Sequence, residues 1–356
     1  CCQIGLKQLF KRGFSTGHGF LREPQSIQSA AALCCIAIQS NQNDMHGGQS
    51  IPLFEYDLAP YVAKSYSKHV GRVMEICLRK EKMEFSGIRA LCDDIYSNRN
   101  TVLDAEAQEQ IKNYVETFLH NEGDKNAKSD ATYVIDESLK LTERETYQAM
   151  EALIHNLNSM QSRAGAQVPF SSINYGTGTT AEQRMIMKNV LLATDAGLGG
   201  GETPIFPVQI FKVKDGINTK KGDPNYDLFE LACKVSAKRL FPNFSFLDAP
   251  FNIKYYKKGH PETEVALMGC RTRVVSNDFD KTKEVIPGRG NLSFTSVNLP
   301  RLGIEAHGSI SKFYDSLDRT FSMVFEQLMD RFNIIAQKRV LNYPFLMGQG
   351  IWIGSD

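Results

Sequence analysis

The segment VALMGCRTRV, residues 265–274, places one cysteine at the end of an apolar run, after a glycine and before two arginines. The Met268–Gly269 pair suits a sharp reversal of the chain, and a long polar segment then leads to a second strand-like run. A free cysteine is most often a small, buried apolar side chain. At the tip of a tight turn, however, the thiol can project into the middle of a barrel. Cys270 is therefore our first candidate for chemistry.

Two kinds of chemistry suit a lone thiol. A nucleophilic cysteine is normally activated by a histidine, and none of the seven histidines stands in a recognisable cysteine-protease context. One-electron chemistry is the alternative, because a carbon radical can oxidise the weak S–H bond and the resulting thiyl can remove hydrogen from an activated C–H bond. Such a site requires burial and few competing donors rather than a lowered thiol pKa.

Two glycine-bearing turns are candidate ligand sites. INYGTGTTAEQR (173–184) predicts a strand, a turn and a helix start, where backbone N–H groups can cradle a phosphate. The segment is not a GxxxxGK[ST] loop, and it lacks the third glycine of a GxGxxG loop. A plain turn and a phosphate cradle both remain open here. LMGQG (346–350) allows the backbone to approach a ligand closely, although a tight turn is the simpler interpretation.

The bulk composition excludes several classes of protein. The chain has 356 residues, and its 41 basic and 40 acidic side chains give a formal charge of +1, so no general attraction to nucleic acid or anionic membrane follows. No apolar stretch approaches the roughly 18–20 residues of a membrane span. The eight cysteines form no CxxC pair and no zinc-finger spacing, which argues against a structural metal site and for reduced, cytosolic thiols.

The elements that position these residues fall into two parts. The first part is helical: residues 25–46 form a helix after Pro24, residues 51–80 continue as a helix broken near Pro60, and residues 100–165 carry helical periodicity. From residue 166 onward, strand and helix patterns alternate, which predicts an α/β barrel or a doubly wound parallel sheet. The predicted strands lie in AQVPFSSINYG, TPIFPVQIFKV, residues 264–268, LSFTSVNLPRLG and YPFLMGQG, and the predicted helices lie in TTAEQRMIMKNVLLATDAG, YDLFELACKVSAKRLF and residues 311–337.

Eight segments together resemble a known family: CCQIGLKQLFKRGF, PQSIQSA, INYGTG, LATDAGLGGGETPIFPVQIFKVKDGIN, KKGDPNYDLFELACKVSAKRLFP, MGCRTRV, GRGNLSFTSVNLPR and YPFLMGQG. They resemble the anaerobic (class III) ribonucleoside-triphosphate reductases, which are glycyl-radical enzymes. The resemblance covers nearly the whole chain and is weakest between residues 68 and 160. It implies one catalytic domain over residues 1–356, a ten-stranded α/β barrel of two antiparallel five-stranded parallel halves with a central finger loop and flanking helices. Residues 264–300 would hold the finger loop and its flanking strands, with Cys270 at the tip.

The resemblance also implies roles for residues around the sugar of a ribonucleoside triphosphate substrate. A radical on a C-terminal glycine would oxidise Cys270, and the thiyl would remove the ribose 3′ hydrogen. Cys1 would donate a hydrogen or proton at the 2′ side, with Cys2 as the alternative, because neighbouring side chains of a strand point to opposite faces. Asn291 would hydrogen-bond the sugar hydroxyls but, as an amide, cannot act as a general base. The triphosphate-binding residues would be Asn174, Gly176, Thr177 and Gly178, with Gly348 and Gly350 as further candidates.

Cofactors and partners follow from the same resemblance. Formate would be the co-substrate and final reductant, and a radical-SAM activase would form the glycyl radical. Residues 25–80 would pair two subunits of a homodimer and bind a deoxynucleoside triphosphate effector, and residues 81–160 would be a helical insertion. We expect the N-terminal ATP cone and the C-terminal module, which bears zinc and the radical glycine, to lie outside this chain, so that the fragment alone would be inactive. We expect a cytoplasmic location and neither a nucleic-acid nor a membrane partner.

Two other functions stay open on the sequence. One is a different glycyl-radical enzyme, a lyase of a small molecule, although KKGDPNYD and NLPR do not suit it. The other is a non-catalytic nucleotide-binding regulator derived from the reductase. The intact Cys1, Cys270 and Asn291 argue against that second alternative.

Overall fold

The computed structural model describes residues 1–80, 85–161, 167–269 and 271–355. The helices are α1 (Leu6–Arg12), α2 (Ile27–Asp44), α3 (Phe54–Leu78), α4 (Ser86–Arg99), α5 (Ala105–Asn121), α6 (Ala127–Ser159), α7 (Ala181–Ala196), α8 (Tyr226–Arg239), α9 (Pro250–Ile253), α10 (Leu299–Glu305) and α11 (Ile310–Ala336). The strands are β1 (Cys2–Gln3), β2 (Phe14–Ser15), β3 (Phe20–Leu21), β4 (Gln49–Ile51), β5 (Ser171–Tyr175), β6 (Val208–Val213), β7 (Asn243–Phe246), β8 (Leu267–Met268) and β9 (Thr272–Arg273).

A five-stranded parallel sheet forms the centre of the fold. Its strand order is β1–β4–β5–β6–β7, and every neighbouring pair is parallel. Every residue of β5 and β6 is buried, as both faces of a parallel sheet are normally covered. The strand and helix predictions from AQVPFSSINYG to YDLFELACKVSAKRLF are therefore confirmed, and so is the mixed α/β class.

The remaining strand contacts of the described residues are a bridge beside β1 and two antiparallel hairpins, β2–β3 and β8–β9. Residues 288–291 run antiparallel beside β1, through an isolated bridge between Cys2 and Gly290. β8 and β9 pair as an antiparallel hairpin. In the described part of the chain the large sheet has five strands, and a closed ten-stranded barrel is not formed.

Two strand predictions are wrong. The segment LSFTSVNLPRLG contains helix α10, because the Asn298 side chain accepts a hydrogen bond from the Arg301 N–H and Pro300 occupies the first turn, which together favour a helix start. The segment YPFLMGQG forms a series of turns. Asp44 Oδ2 accepts the N–H groups of Phe345 and Leu346 at 2.7 and 2.9 Å and so holds this segment against the end of α2.

The helical part follows its predicted pattern with one correction. Helix α2 begins at a capping box in which Ser26 and Ser29 exchange side-chain-to-backbone hydrogen bonds. The predicted break near Pro60 is wrong, since α3 continues through that residue without interruption. Helices α4, α5 and the first half of α6 pack against the second half of α3 around a core of their own.

None of the described helices is long and apolar enough to cross a membrane.

Candidate functional site

Side chains alternate along each strand, so the sheet has one face toward the main apolar core and an opposite face, called here the polar face, toward residues 264–269. On one face, Cys2, Ile51, Ile173, Tyr175 and Phe211 join the main apolar core with the helices. The opposite face carries the buried polar side chains Gln3, Ser50, Ser172, Asn174 and Lys212. We call residues 264–273, which include the β8–β9 hairpin, the finger. The finger lies across the polar face, with β8 against β4 and β5.

Side chains of the polar face hold the finger by its backbone. Asn174 binds Leu267 at two points: its Nδ2 donates to the Leu267 carbonyl at 3.0 Å and its Oδ1 accepts the Leu267 N–H at 2.8 Å. Ser50 Oγ donates to the same carbonyl at 2.9 Å, and Gln3 Nε2 donates to the carbonyl of Ala266 at 3.0 Å. These bonds fix the register of the finger on the sheet.

A buried ion-pair cluster anchors the base of the finger. Glu264 lies 3.4 Å from Lys212 Nζ and 2.9 Å from Lys214 Nζ, and it accepts a hydrogen bond from Thr177 Oγ1 at 2.8 Å. Burial opposes ionisation of Glu264, but the two ammonium groups outweigh it together, so the pKa of this carboxyl lies below its ordinary value. Glu264 is therefore a fixed negative charge between Lys212 of β6 and Lys214, the residue that follows this strand.

The backbone of the predicted phosphate cradle binds a carboxylate of the protein itself. The N–H groups of Gly176, Thr177 and Gly178 converge on Glu55 Oε1 at 2.9, 3.1 and 3.1 Å. A Cβ on Gly176 would lie 2.5 Å from the Lys212 carbonyl oxygen, so this turn requires glycine there. Burial raises the pKa of Glu55, against the opposing effects of Lys212 and of the backbone N–H groups of Glu55 itself, Gly176 and Gly178. The turn is thus an anion-binding nest, as the sequence allowed.

Cys1 lies near Gly269 of the finger, with Gly48 between them. Its Sγ accepts the Gly48 N–H at 3.3 Å, and the residue is 7% exposed. On its other side Gly48 touches the finger, because a Cβ on Gly48 would lie only 2.8 Å from the Gly269 nitrogen. Gly269 in turn donates its N–H to Ser172 Oγ at 3.1 Å. Cys270 lies outside the described residues. Its chain neighbour Gly269 contacts Gly48, and Gly48 donates its N–H to the Cys1 sulfur.

Two other predicted site residues, Cys2 and Asn291, are neighbours of Cys1 and lie on different sides of it. Cys2 points to the opposite face, where it is fully buried in the apolar core, and burial raises the pKa of its thiol to about 12. Asn291 lies beside Cys1, since its N–H donates to the Cys1 carbonyl at 3.0 Å. The structure therefore brings residues 1, 269 and 291 into one neighbourhood and separates Cys2 from it.

The other predicted glycines lie elsewhere. Gly348 and Gly350 are in the turns that follow α11, where a Cβ on Gly348 would lie 2.3 Å from the Pro344 carbonyl oxygen and Gly350 has a φ of +63°. Local backbone geometry accounts for both glycines. Gln349 between them accepts the Ser15 N–H at 2.9 Å, so this segment contacts the β2–β3 hairpin. Their predicted role in substrate binding stays a prediction.

Sequence reasoning missed the residues that hold the finger. Gln3, Ser50, Ser172 and Lys212 were not candidates, and neither were Glu55 and Glu264. The available signal was polar residues within strands that lie inside a sheet with both faces covered. Such residues require a buried polar partner, and here that partner is the finger backbone.

These contacts define an α/β protein whose parallel sheet holds a glycine-turn hairpin against a buried cysteine. Comparison with known proteins gives the family: the family model described as anaerobic ribonucleoside-triphosphate reductase matches residues 1–356, and the chain belongs to that family. Curated relatives of the same description include proteins from Escherichia coli and Enterobacteria phage T4. The protein from Escherichia coli is 29% identical, and the match covers 98% of this chain and 41% of the relative. The protein from Enterobacteria phage T4 is 27% identical, and the match covers 98% of this chain and 49% of the relative. The chain therefore spans less than half the length of these relatives.

Proposed function

We propose that the full-length protein reduces ribonucleoside triphosphates to deoxyribonucleoside triphosphates by thiyl-radical chemistry. Family membership supports ribonucleotide reduction. The observation that carries the thiyl mechanism is the position of Gly48, which donates its N–H to the Cys1 sulfur and touches Gly269 beside Cys270. Cys1 and the residue before Cys270 therefore lie close together although they are far apart in the sequence, which supports a reaction at adjacent carbons of one sugar.

The residues of this chain have distinct tasks in the proposed reaction. The Cys270 thiyl removes the 3′ hydrogen of the ribose, and the 2′ hydroxyl takes up a proton and leaves as water. After reduction at the 2′ carbon, the Cys270 thiol returns its hydrogen to the 3′ carbon and becomes a thiyl again. Cys1 supplies hydrogen at the 2′ side, and Asn291 hydrogen-bonds the sugar hydroxyls without acting as a base. A glycyl radical outside this chain supplies the oxidising equivalent for the Cys270 thiol. With formate as reductant, the sum is a ribonucleotide, formate and a proton giving a deoxyribonucleotide, carbon dioxide and water.

The surroundings of the finger suit this chemistry. The described side chains around residues 266–269 donate to or accept from backbone groups and are themselves buried, so few polar atoms compete for the radical. The finger is also held at Glu264 and at Gly269. A thiyl that must reach one C–H bond of a bound sugar requires such fixed geometry.

The wider assembly is part of the same proposal. A second set of strands would complete the ten-stranded barrel, and residues 288–291, which run antiparallel to β1, support that arrangement. The zinc- and glycyl-radical-bearing C-terminal module would lie outside the chain, and a radical-SAM activase would act on it. The helices within residues 25–80 would serve the homodimer and the deoxynucleotide effector, and the triphosphate would bind near the 176–178 turn.

The test uses the full-length enzyme, activated without oxygen and supplied with formate and a ribonucleoside triphosphate. Cys270→Ala and Cys1→Ala are expected to abolish deoxynucleotide formation, whereas Cys233→Ala, which changes an exposed cysteine on α8, keeps it. Labelled formate is expected to give one carbon dioxide per deoxynucleotide. Turnover by Cys270→Ala would refute the thiyl mechanism, and product without carbon dioxide would refute formate as the reductant.

A further inference from the structure

We propose that Asn174 is a positioning residue, which fixes the register of the finger on the sheet through Leu267 and so directs Cys270, rather than a ligand of the substrate triphosphate. The expected effect of Asn174 on turnover rests on the proposed function. The structural basis of the proposal is independent of that function, because it depends only on how the Asn174 amide is bound.

The Asn174 amide is fully engaged and fully buried. Its Nδ2 lies 3.0 Å from both the Leu267 carbonyl oxygen and Ser50 Oγ, and 3.4 Å from the Ile51 carbonyl oxygen. Its Oδ1 accepts the Leu267 N–H at 2.8 Å. The side chain has no exposed surface. A phosphate oxygen would have to displace the finger before it reached this amide.

The orientation of the amide is determined by its partners. Because Leu267 presents an N–H and a carbonyl side by side, only one of the two amide orientations pairs a donor with an acceptor at both points. Asn174 therefore pairs with the finger as the backbone of a neighbouring strand would. A side chain that pairs in this way specifies the register of β8 on the sheet.

The pair of hydrogen bonds between Asn174 and Leu267, called here the clamp, acts three residues before Cys270. Leu267 precedes Cys270 by three residues, and the intervening Met268 is fully buried, so displacement of Leu267 is carried to the tip. Hydrogen transfer requires the reacting atoms within about 3–3.5 Å, and a misplacement of about 1 Å can cost about a hundredfold in rate. Loss of the clamp should therefore lower kcat much more than it weakens substrate binding.

Asn174→Asp is the sharpest perturbation. Aspartate is nearly isosteric and still accepts the Leu267 N–H, but it replaces the Nδ2 donor by an oxygen that faces the Leu267 carbonyl. Ser171→Ala is the matched control. Ser171 lies on the same strand, is fully buried, and its hydroxyl has no hydrogen-bond partner among the described residues, so its removal should be close to neutral.

Two measurements on the full-length enzyme decide the proposal. Amide hydrogen exchange of the peptide containing residues 264–273 is expected to accelerate in Asn174→Asp and to stay unchanged in Ser171→Ala. Turnover per activated enzyme is expected to fall by about a hundredfold, with KM for the triphosphate within about threefold of wild type. If Asn174→Asp does not fold, Ser50→Ala, which removes the second donor to the Leu267 carbonyl, should show the same changes with a smaller amplitude.

The outcomes separate this proposal from the proposed function. An Asn174→Asp enzyme with raised KM and normal kcat would make Asn174 a triphosphate ligand and overturn the positioning role. Unchanged exchange of the finger would overturn it as well. If wild type and Ser171→Ala form no deoxynucleotide, the proposed function fails, and the exchange measurement still decides whether Asn174 holds the finger.

Discussion

Gly48→Ala is the perturbation that tests most directly whether Cys1 and the fingertip form one unit. A Cβ at this position would lie 2.8 Å from the nitrogen and 2.9 Å from the Cα of Gly269. Both atoms belong to the backbone, so no flexible side chain can move aside. Gly48 does not have a positive φ, and alanine is otherwise compatible with its backbone. The close approach of the finger is therefore the main obstacle to the substitution.

The size of the effect follows from this approach. To restore an ordinary carbon contact, the finger or the start of β4 must move by roughly 0.6 Å, and overpacking of this kind costs about 1–3 kcal/mol of unfolding free energy. The same Gly48 N–H donates to the Cys1 sulfur, so the movement also alters the position of Cys1 relative to Gly269. We expect kcat to fall at least about tenfold.

The measurements are denaturant unfolding and deoxynucleotide formation by the full-length enzyme, with Gly199→Ala as the control. A Cβ on Gly199 meets no atom within 4 Å, and its φ is not positive, so that variant should match wild type in both assays. If Gly48→Ala also matched wild type, the contact between Gly48 and the finger would not matter, and our account of the site would be wrong.

Three further predictions concern buried charge, pH and thiol reactivity. Lys212→Met removes a partner of the buried Glu264 and should cost about 3 kcal/mol of unfolding free energy. Lys188→Met breaks a half-exposed ion pair with Glu143 and should cost no more than about 1 kcal/mol. Equal losses of the two variants in denaturant unfolding would contradict this prediction. Burial raises the pKa of Asp57 to about 7, so its contribution to stability is complete below about pH 4 and is lost as pH rises through 7. The unfolding free energy of wild type should therefore fall by about 3 kcal/mol relative to Asp57→Asn between pH 5 and pH 8, and parallel pH profiles would refute the shift. Finally, a maleimide should label Cys233 in the native protein and leave the buried cysteines unlabelled until unfolding, which peptide mass mapping would show.

The sequence predicts those elements well that carry their own start signals and period. Helix α7 begins with a capping box between Thr180 and Gln183, and α2 begins with an equivalent box at Ser26. Strands β5 and β6 are continuous buried runs between turn residues. In each of these elements the local pattern and the tertiary environment favour the same structure, so short-range reasoning suffices.

Prediction fails where a distant residue determines the local structure. The apolar run at 343–347 has the composition of a strand, but Asp44, about 300 positions earlier, binds two of its N–H groups and bends it into turns. The Glu55 carboxylate reaches the N–H groups of 176–178 from a helix that begins more than 100 positions earlier. The glycine pattern left a plain turn and a phosphate cradle open at this position, and it gave no sign that a carboxylate of the same chain would occupy the turn.

The need to satisfy buried backbone groups explains why the inner face of the sheet is polar. The finger hairpin has only its own partner strand, so the outer N–H and carbonyl groups of β8 would be buried without hydrogen bonds. Gln3, Ser50, Ser172 and Asn174 supply those bonds from β1, β4 and β5. Apolar side chains at the same positions would leave the groups unsatisfied and would let the hairpin slide along the sheet. The polar residues thus satisfy a requirement of folding and, by the same hydrogen bonds, fix the position of the residue that follows Gly269.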